Sequence, residues 1–342
     1  MKITRVGLDI AKQVFQVHGV DEHGKARVRK QLARAKVLEF FAQLPACLIG
    51  IEACGSAHYW GRELAKLGHT VKLMAAQFVV PYRKRGKNDA NDSEAICEAV
   101  GRPNMRFVAV KSVEQQATLS VPNTRDLLVR QRTAAGNALR GMLSELGIVA
   151  AQGTKGLRTL MQQLEQPSEA IPELMRNALL LLARQWEALD AAERMLEQQI
   201  TRAAKADREA RRLMAVPCVG PIIASTVLAK VPDPRMFRSG RDFAAWIGLT
   251  GRDRGTGGKH RIGRISKQGD RMLRTLLING ASAYLLHQKR RGVTDPWLRE
   301  MLARRPYKVV MVALANKTAR IIWAMLAKGE EYRARASVPA AA

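Results

Sequence analysis

The sequence predicts an α/β layer followed by an all-helical region, and three observations carry that expectation. Short apolar or alternating runs separated by turn residues fill the first part of the chain. From about residue 111 the pattern becomes helical. Between residues 175 and 200 apolar side chains recur at alternating spacings of three and four, the mark of a helix seam.

Taken in order, residues 3–10 read as a buried strand and 14–20 alternate apolar with polar. Residues 21–25 supply turn chemistry, and a third strand returns over 26–31. A helix over 34–43 and a strand over 47–52 follow. A helix over 56–67 is expected to open on Ser56 as N-cap and to stop at Gly68, and a strand closes the set over 70–74. Strand–strand–strand–helix–strand–helix–strand is the order of an α/β layer with mixed pairing. A helix after Ser93 runs to Val100 without a breaker.

Beyond residue 111, one long helix over 113–146 carries Arg125, Arg130, Arg132 and Arg140. The seam of Met175, Leu179, Leu182, Trp186, Leu189, Leu196 and Ile200 is interrupted only by Glu193. It fits a coiled-coil hairpin, a dimer contact, or a helix packed on its own domain. Residues 216–221, Val-Pro-Cys-Val-Gly-Pro, form a tight turn between two apolar helices, either a helix-hairpin-helix-like phosphate contact or an ordinary connection. A short helix over 242–247 leads into a glycine-rich basic loop at 251–264. From Arg252 to Arg274 there are eight Lys or Arg and two Asp. The loop is not a P-loop, because the GxxxxGK[ST] spacing fails. Helices over 270–288 and 307–327 precede a frayed end. The expected domains are 1–110, a helical linker over 111–210 with the coiled-coil segment, 211–330, and a tail over 331–342.

Composition narrows the partners. Among 342 residues, 57 Lys and Arg stand against 30 Asp and Glu, a net charge of +27. That excess calls for a polyanion, since neutralising phosphates releases condensed counterions. No run reaches the 18 or so apolar residues that span a bilayer, and no Arg-flanked apolar signal segment opens the chain, so nucleic acid is favoured over membrane. Cys47, Cys54, Cys97 and Cys218 lack zinc-ligand spacing and read as core residues of a reduced, cytoplasmic protein.

Four acids suggest a metal site. Asp9 lies in the first strand and Glu52 ends a later one. Asp89 and Asp92 stand at i and i+3, within roughly 60° of each other on a helix. The plainer alternatives are a helix cap for Asp89 and Asp92 and an exposed rim position for Glu52. Asp9 resists such a reading, because a buried carboxylate needs a partner. Four packed carboxylates repel by roughly 4 kcal/mol per close pair at an effective dielectric of 20. Cations make that arrangement tenable, and Mg²⁺, or Mn²⁺ in its place, suits an all-oxygen shell.

Several segments together resemble the DEDD-type insertion-sequence transposases, specifically the 1111 subgroup of the insertion-sequence-110 family, relatives of the pilin-gene invertases. The matching pieces are 7–12 (Gly-Leu-Asp-Ile-Ala-Lys), 51–56 (Ile-Glu-Ala-Cys-Gly-Ser), 87–95 (Lys-Asn-Asp-Ala-Asn-Asp-Ser-Glu-Ala), 216–221, and 245–250 continuing to 263–270. They follow the family order over nearly the whole chain. The resemblance implies a RuvC-like (RNase H fold) N-terminal domain, with Asp9, Glu52, Asp89 and Asp92 as the Mg²⁺-binding tetrad. It further implies a helical linker, a C-terminal transposase domain, and dimers that pair into tetramers. The partners implied are a structured non-coding guide RNA (bridge or seek RNA) and donor and target DNA, in a bacterial cytoplasmic, nucleoid-associated setting. A C-terminal-domain serine would attack DNA and hold it as a phosphoserine.

The sequence departs from the family at that serine. Aligning back from Ile265-Ser266-Lys267, the expected position is Gly255, with Thr256 beside it as a hindered substitute. Ser266 and Ser239 are off-position and read as a helix cap and a turn residue, respectively. The phosphate contacts expected are Arg83, Lys84, Arg85, Lys87, Arg125, Arg130, Arg132, Arg252, Arg254, Lys259, Arg261, Arg264 and Lys267; a solvated basic surface is the alternative. Three other classes stay open. A hydrolytic RuvC-type junction nuclease would form no covalent link. An actin-like ATPase would need a second Asp-x-Gly-Gly loop that the sequence lacks. A protein that binds RNA or DNA without catalysis would tolerate Gly255.

Overall fold

The computed structural model of the chain describes residues 2–84, 89–255 and 261–333, with the backbone but not the side chain of Asp89. The chain divides into two compact units, residues 1–116 and 117–342.

The first unit contains β1 (Arg5–Ile10), β2 (Val14–Val20), β3 (Ala26–Ala33), α1 (Val37–Ala42), β4 (Leu48–Glu52), α2 (Ala57–Lys66), β5 (Thr70–Met74), α3 (Ala76–Val79), α4 (Asp89–Val100) and β6 (Phe107–Val108). The sheet order is β3-β2-β1-β4-β5-β6. The β1–β2 and β2–β3 pairs are antiparallel, β1–β4 and β4–β5 are parallel, and β6 returns antiparallel to β5. The mixed α/β layer expected from the sequence is therefore present, with β6 as an unanticipated edge.

Central strands covered on both faces read as continuous apolar runs, which explains β1 and β4. Val6, Leu8, Ile49 and Ile51 join Phe15, Phe41, Trp60 and Leu64 in the core beneath α1 and α2. Each such fully buried side chain contributes about 1.5–3 kcal/mol. A second cluster, including Met74, Val79, Ile96 and Val100, lines α4 on the opposite face. The Ser56 cap does not form. Ser56 has φ 70° and its side chain accepts no capping bond, because an N-cap needs extended backbone to turn its oxygen onto the first helical N–H groups. Gly68, at φ 89°, does end that helix. Cys47 and Cys97 are buried as expected, whereas Cys54 is exposed and Cys218 half-buried.

The helical region contains α5 (Val113–Ser144), which starts at the unit boundary, then α6 (Thr154–Glu165), α7 (Glu173–Ala206), α8 (Arg208–Met214), α9 (Pro221–Lys230), α10 (Gly240–Ile247), β7 (Gly251–Asp253), β8 (Ile262–Ile265), α11 (Arg271–Arg291), α12 (Pro296–Arg304) and α13 (Tyr307–Lys328). Helices α6 and α12 had no counterpart in the sequence reading. The basic loop proves to be carried on a two-stranded antiparallel ribbon, β7–β8, rather than being loop throughout.

Two apolar clusters fill this unit. One joins Leu139 and Leu143 of α5, Leu160 and Leu164 of α6, and Leu179 and Trp186 of α7. The other joins α8 to α13 through residues such as Leu213, Phe243, Leu277 and Ile322. The α7 seam thus packs on its own unit as one arm of an antiparallel hairpin with α5. Arg125 bonds Glu197 while Arg132, further along α5, bonds Asp190, earlier on α7. Glu193, the residue that interrupts the seam, is buried there and pairs with Arg125 and Arg132.

Asn316, Lys317, Thr318 and Arg320 interrupt the apolar run of α13, so the expectation of no unbroken spanning run stands. Among the described residues α13 is the one helix long and apolar enough, by length and composition, to cross a bilayer, with mean hydropathy 1.5. Val310, Leu314, Ala319 and Ile322 nevertheless pack into the core of α8–α13. A core helix and a spanning helix share the same composition, and burial separates them.

Candidate functional site

Asp9 and Glu52 leave the sheet side by side. β1 and β4 run parallel with Leu8 opposite Ile51, so the next residues, Asp9 and Glu52, stand level on neighbouring strands. Side chains alternate along a strand, so Asp9 shares its face with Gly7 and Glu52 shares its face with Gly50. Helix α4 covers that face. A Cβ on Gly7 would overlap the Ser93 carbonyl and the Cys97 backbone nitrogen, and one on Gly50 would lie 2.7 Å from Val100 Cβ.

The helix runs antiparallel to β1, since its far end meets Arg5 through Glu98 at 3.6 Å. Asp9 lies about 6.6–6.8 Å further along the strand than Gly7. That distance equals four to five helical residues at about 1.5 Å each. The first turn of α4, which holds Asp89 and Asp92, therefore comes level with Asp9. Both strand acids are half-buried at the rim; full burial, expected for Asp9, fails because the strand ends one residue later. The same negative corner acts on Cys54. Partial shielding of the sulfur, then the charges of Glu52 and Asp9, push its thiol up.

Asp92 is already engaged. Arg83 Nε lies 2.5 Å from Asp92 Oδ1, an ion pair with both groups largely sheltered. Lys84 Nζ reaches Glu94, two residues further on, at 2.7 Å. The start of the basic stretch is thereby clasped to α4, and Arg83 and Lys84 serve the protein's own acids. Arg85 and Lys87 lie outside the described residues. Nothing in the sequence marked Arg83 as the partner of Asp92, although nine residues separate the two in the chain.

Among the described residues, no three His, Cys, Asp or Glu side chains are gathered closely enough to hold an ion. The side chain of Asp89, which would be the fourth acid, lies outside them. The donor chemistry nonetheless fits a hard divalent cation. Asp9, Glu52 and Asp92 offer only carboxylate oxygens, and the pair on β1 and β4 is fixed by the sheet.

The second basic feature is built differently. Gly251 pairs with Ile265 and Asp253 with Ile262 across the ribbon, and Arg254 N–H donates to the Arg261 carbonyl at 2.9 Å. Arg252, Arg254, Arg261, Arg264 and Lys267 are all exposed, as is Gly255 at its tip. Thr256 and Lys259 fall outside the described residues. The ribbon's base is held by Arg274, a buried arginine that the sequence reading missed. Its guanidinium donates to the carbonyls of Ile247 at 2.7 Å and Gln268 at 3.0 Å. Lys230 anchors Asp270 at 2.8 Å, and Asp270 in turn caps α11. The roles expected of two serines are exchanged: Ser239 caps α10, and Ser266 accepts from Gln268 N–H in a turn.

The arginines of α5 also have internal work. Arg125 and Arg132 bind the carboxylates of α7, and Arg140 donates to the carbonyls of Ala150, Ala151 and Gly153. Desolvation makes an unpaired buried charge costly, so facing acids claimed the arginines that sequence spacing had offered to phosphates. Arg130 pairs with Asp126 on its own helix, at 3.1 Å, and stays exposed.

The sheet and the helical region fall within segments that match known proteins in the same order. Residues 6–148 match the model of the IS110-type DEDD transposases, described as "Transposase". Residues 210–295 match "Transposase IS116/IS110/IS902 family". The chain is 51% identical over 336 residues to "Probable family 20 transposase" of Pseudomonas aeruginosa, covering 97% of this chain and 99% of the relative. It is 40% identical over 332 residues to "Transposase for insertion sequence element IS1111A" of Coxiella burnetii, covering 96% and 91%. It is 38% identical over 331 residues to "Transposase for insertion sequence element IS1328" of Yersinia enterocolitica, covering 96% and 98%. The protein is a DNA transposase, an enzyme of the class that acts on DNA with DEDD acids and a divalent metal. Within that class it belongs to the IS110 family of insertion-sequence transposases.

Proposed function

We propose that this transposase is an RNA-guided recombinase that cuts and rejoins DNA by transesterification, with a RuvC-like (RNase H fold) N-terminal domain. The observation that carries the reading is the level placement of Asp9 and Glu52 on two parallel strands beside the acidic first turn of α4. The antiparallel-then-parallel strand order β3-β2-β1-β4-β5 supports the fold reading. Asp9, Glu52, Asp89 and Asp92 would hold Mg²⁺, or Mn²⁺ in its place. Bound there, the ion would polarise the scissile phosphate. Arg83 balances the charge of Asp92, and the sheet keeps Asp9 and Glu52 from moving apart.

The attacking hydroxyl belongs to the C-terminal domain. Gly255 occupies the serine position and has no side-chain hydroxyl, which leaves Thr256 as the next hydroxyl in the chain. Arg252, Arg254, Lys259, Arg261, Arg264 and Lys267 would bear on phosphates, and the α8–α9 turn would contribute in helix-hairpin-helix manner. The separate apolar cores of the helical unit support a division into a linker over 111–210 and a transposase domain over 211–330, with a tail after it. The partners are a bridge or seek guide RNA, donor and target DNA, and further copies of the chain as dimers pairing into tetramers, in the bacterial cytoplasm at the nucleoid.

The test is to purify the protein from cells carrying its whole element and sequence the RNA that accompanies it. One structured RNA from the element is expected. A spread of host transcripts would reject guidance. Gly255 favours a second reading, nucleic-acid binding without strand transfer. A covalent protein–DNA adduct formed by the unaltered chain would dismiss that alternative, and it would also dismiss a hydrolytic junction nuclease.

A further inference from the structure

Between the start of α10, α12 and α13 the helical unit has a groove of about 830 Å³ that includes Trp297, Trp323, Arg241, Lys317 and Arg320 in its walls. Its size falls within the roughly 300–1,000 Å³ of ligand pockets. Trp323 is fixed by an Nε1–H bond to the Pro234 carbonyl at 3.1 Å, so its ring is held in one orientation. Lys317 Nζ lies 4.2 Å from the centre of the Trp297 ring and 3.8 Å from Asp295. Among the described residues that is the ion pair at the groove, and Arg241 and Arg320 are exposed beside it. Gly240 lets α10 pack closely here, for a Cβ would come within 3.1 Å of the Arg320 backbone.

We propose that this groove binds a single-stranded segment of nucleic acid, with a base against the indoles and its phosphates on Arg241 and Arg320. The inference deepens the RNA-guided reading above and rests on it for the source of unpaired strands. The combination of groups selects the ligand. Every base has a π-face that stacks on an aromatic ring, and Arg and Lys track the backbone beside it. A closed duplex presents phosphates but hides its base faces, which would leave the indoles uncovered. An acidic peptide would meet the cations and leave the apolar walls wet.

The experiment uses the full chain in EDTA with fluorescent oligothymidine and oligouridine of about 15 nucleotides, read by anisotropy across a salt series. Wild type is expected to bind. The double variant Arg241→Ala/Arg320→Ala is expected to bind more weakly, with the slope of log K against log salt reduced by about 1.4, two phosphates at about 0.7 each. Trp297→Ala is expected to weaken binding about fivefold or more with the slope unchanged. Photo-crosslinking of wild type to 5-iodouracil strands guards against a variant that merely misfolds, and is expected to mark Trp297 or Trp323. Tighter binding of the uridine strand would assign the site to guide RNA, and tighter binding of the thymidine strand to opened DNA. No binding by wild type, an unchanged affinity and slope in the arginine variant, or cross-links confined to other residues would overturn the proposal. Because the assay contains no metal and no cleavage step, such a failure leaves the carboxylate site and the covalent-adduct test untouched.

Discussion

Gly7 of β1 lies directly beneath Ser93 of α4, so close that any Cβ at position 7 would overlap the Ser93 carbonyl. This contact sets how far the first turn of α4 stands from the strand that carries Asp9. The side chain that would fill the gap is backbone-blocked, so the helix itself must move to admit one. Gly7→Ala is therefore expected to cost about 1–3 kcal/mol, by the usual penalty for overpacking, and to reduce strand cleavage beyond what the stability loss explains. Urea melts paired with cleavage assays at a temperature where both proteins are folded would check this. Equal activity in both would remove the helix contact from the account of the site.

The two strand acids should be separable from stability. Asp9 and Glu52 sit half-buried at the sheet rim, and their neutral amides preserve shape. Asp9→Asn and Glu52→Gln are each expected to lower strand cleavage by about 100-fold or more, the usual scale for losing one charge-stabilising group. Manganese binding followed by electron paramagnetic resonance should weaken in parallel, while melting temperatures stay close to wild type. Full cleavage by Glu52→Gln would rule out the carboxylate site.

A serine hydroxyl at position 255 should raise covalent adduct formation above the level that the hindered Thr256 supports. In Gly255→Ser, a labelled DNA substrate is expected to become attached to the protein and to survive denaturing electrophoresis. Mass spectrometry should place the link at position 255. If the variant forms no adduct while its RNA and DNA are bound, the serine position has been misassigned.

The helical hairpin should depend on its buried acids. Asp190 is almost fully enclosed and serves Arg132, Arg158 and Arg194. Burial alone pushes its carboxyl up, but hydrogen bonds from Arg194 and Arg132 outweigh this and hold it below the usual carboxylate range. Asp190→Ala leaves Arg132 with Glu193 alone and Arg158 and Arg194 to solvent, and is expected to cost about 1.5–3 kcal/mol, the scale of a lost hydrogen bond to a charged group. Denaturant midpoints measure this directly.

Acid should weaken the first unit through one histidine. His58 Nδ1 accepts the backbone N–H of Lys111 at 3.1 Å, which requires the unprotonated ring nitrogen. Burial, then the charges of Lys111 and Arg62, lower its pKa to about 4. The unfolded chain takes the proton near its ordinary value of about 6.5, so between pH 6.5 and 4 the unfolded state binds more protons. Stability is expected to fall as pH drops through that window, by at most about 3.4 kcal/mol at 1.36 kcal/mol per unit, less whatever water screens at the half-buried ring. His58→Gln should flatten this part of the pH profile. A wild-type melting temperature that is level from pH 6.5 to 4 would contradict it.

The sequence by itself determined the strands, since alternation and turn residues placed β1 to β5 closely and the mixed order followed from their spacing. It also singled out Asp9 as a carboxylate within an apolar strand, which needs a partner, while Glu52 kept the plainer alternative of a rim position. Gly255 was legible in the same way, as a departure from a motif. What only the tertiary structure decided was pairing across the chain. Arg125 and Arg132 look like free cations along a helix until the antiparallel packing of α7 brings Asp190 and Glu193 against them, and Arg83 meets Asp92 only through its placement in space beside α4. The membrane-like composition of α13 likewise acquires its meaning from the helices that surround it. Periodicity along a chain records which face is buried, but the Coulomb partner of a charge is set by distances through space, which spacing in sequence does not encode.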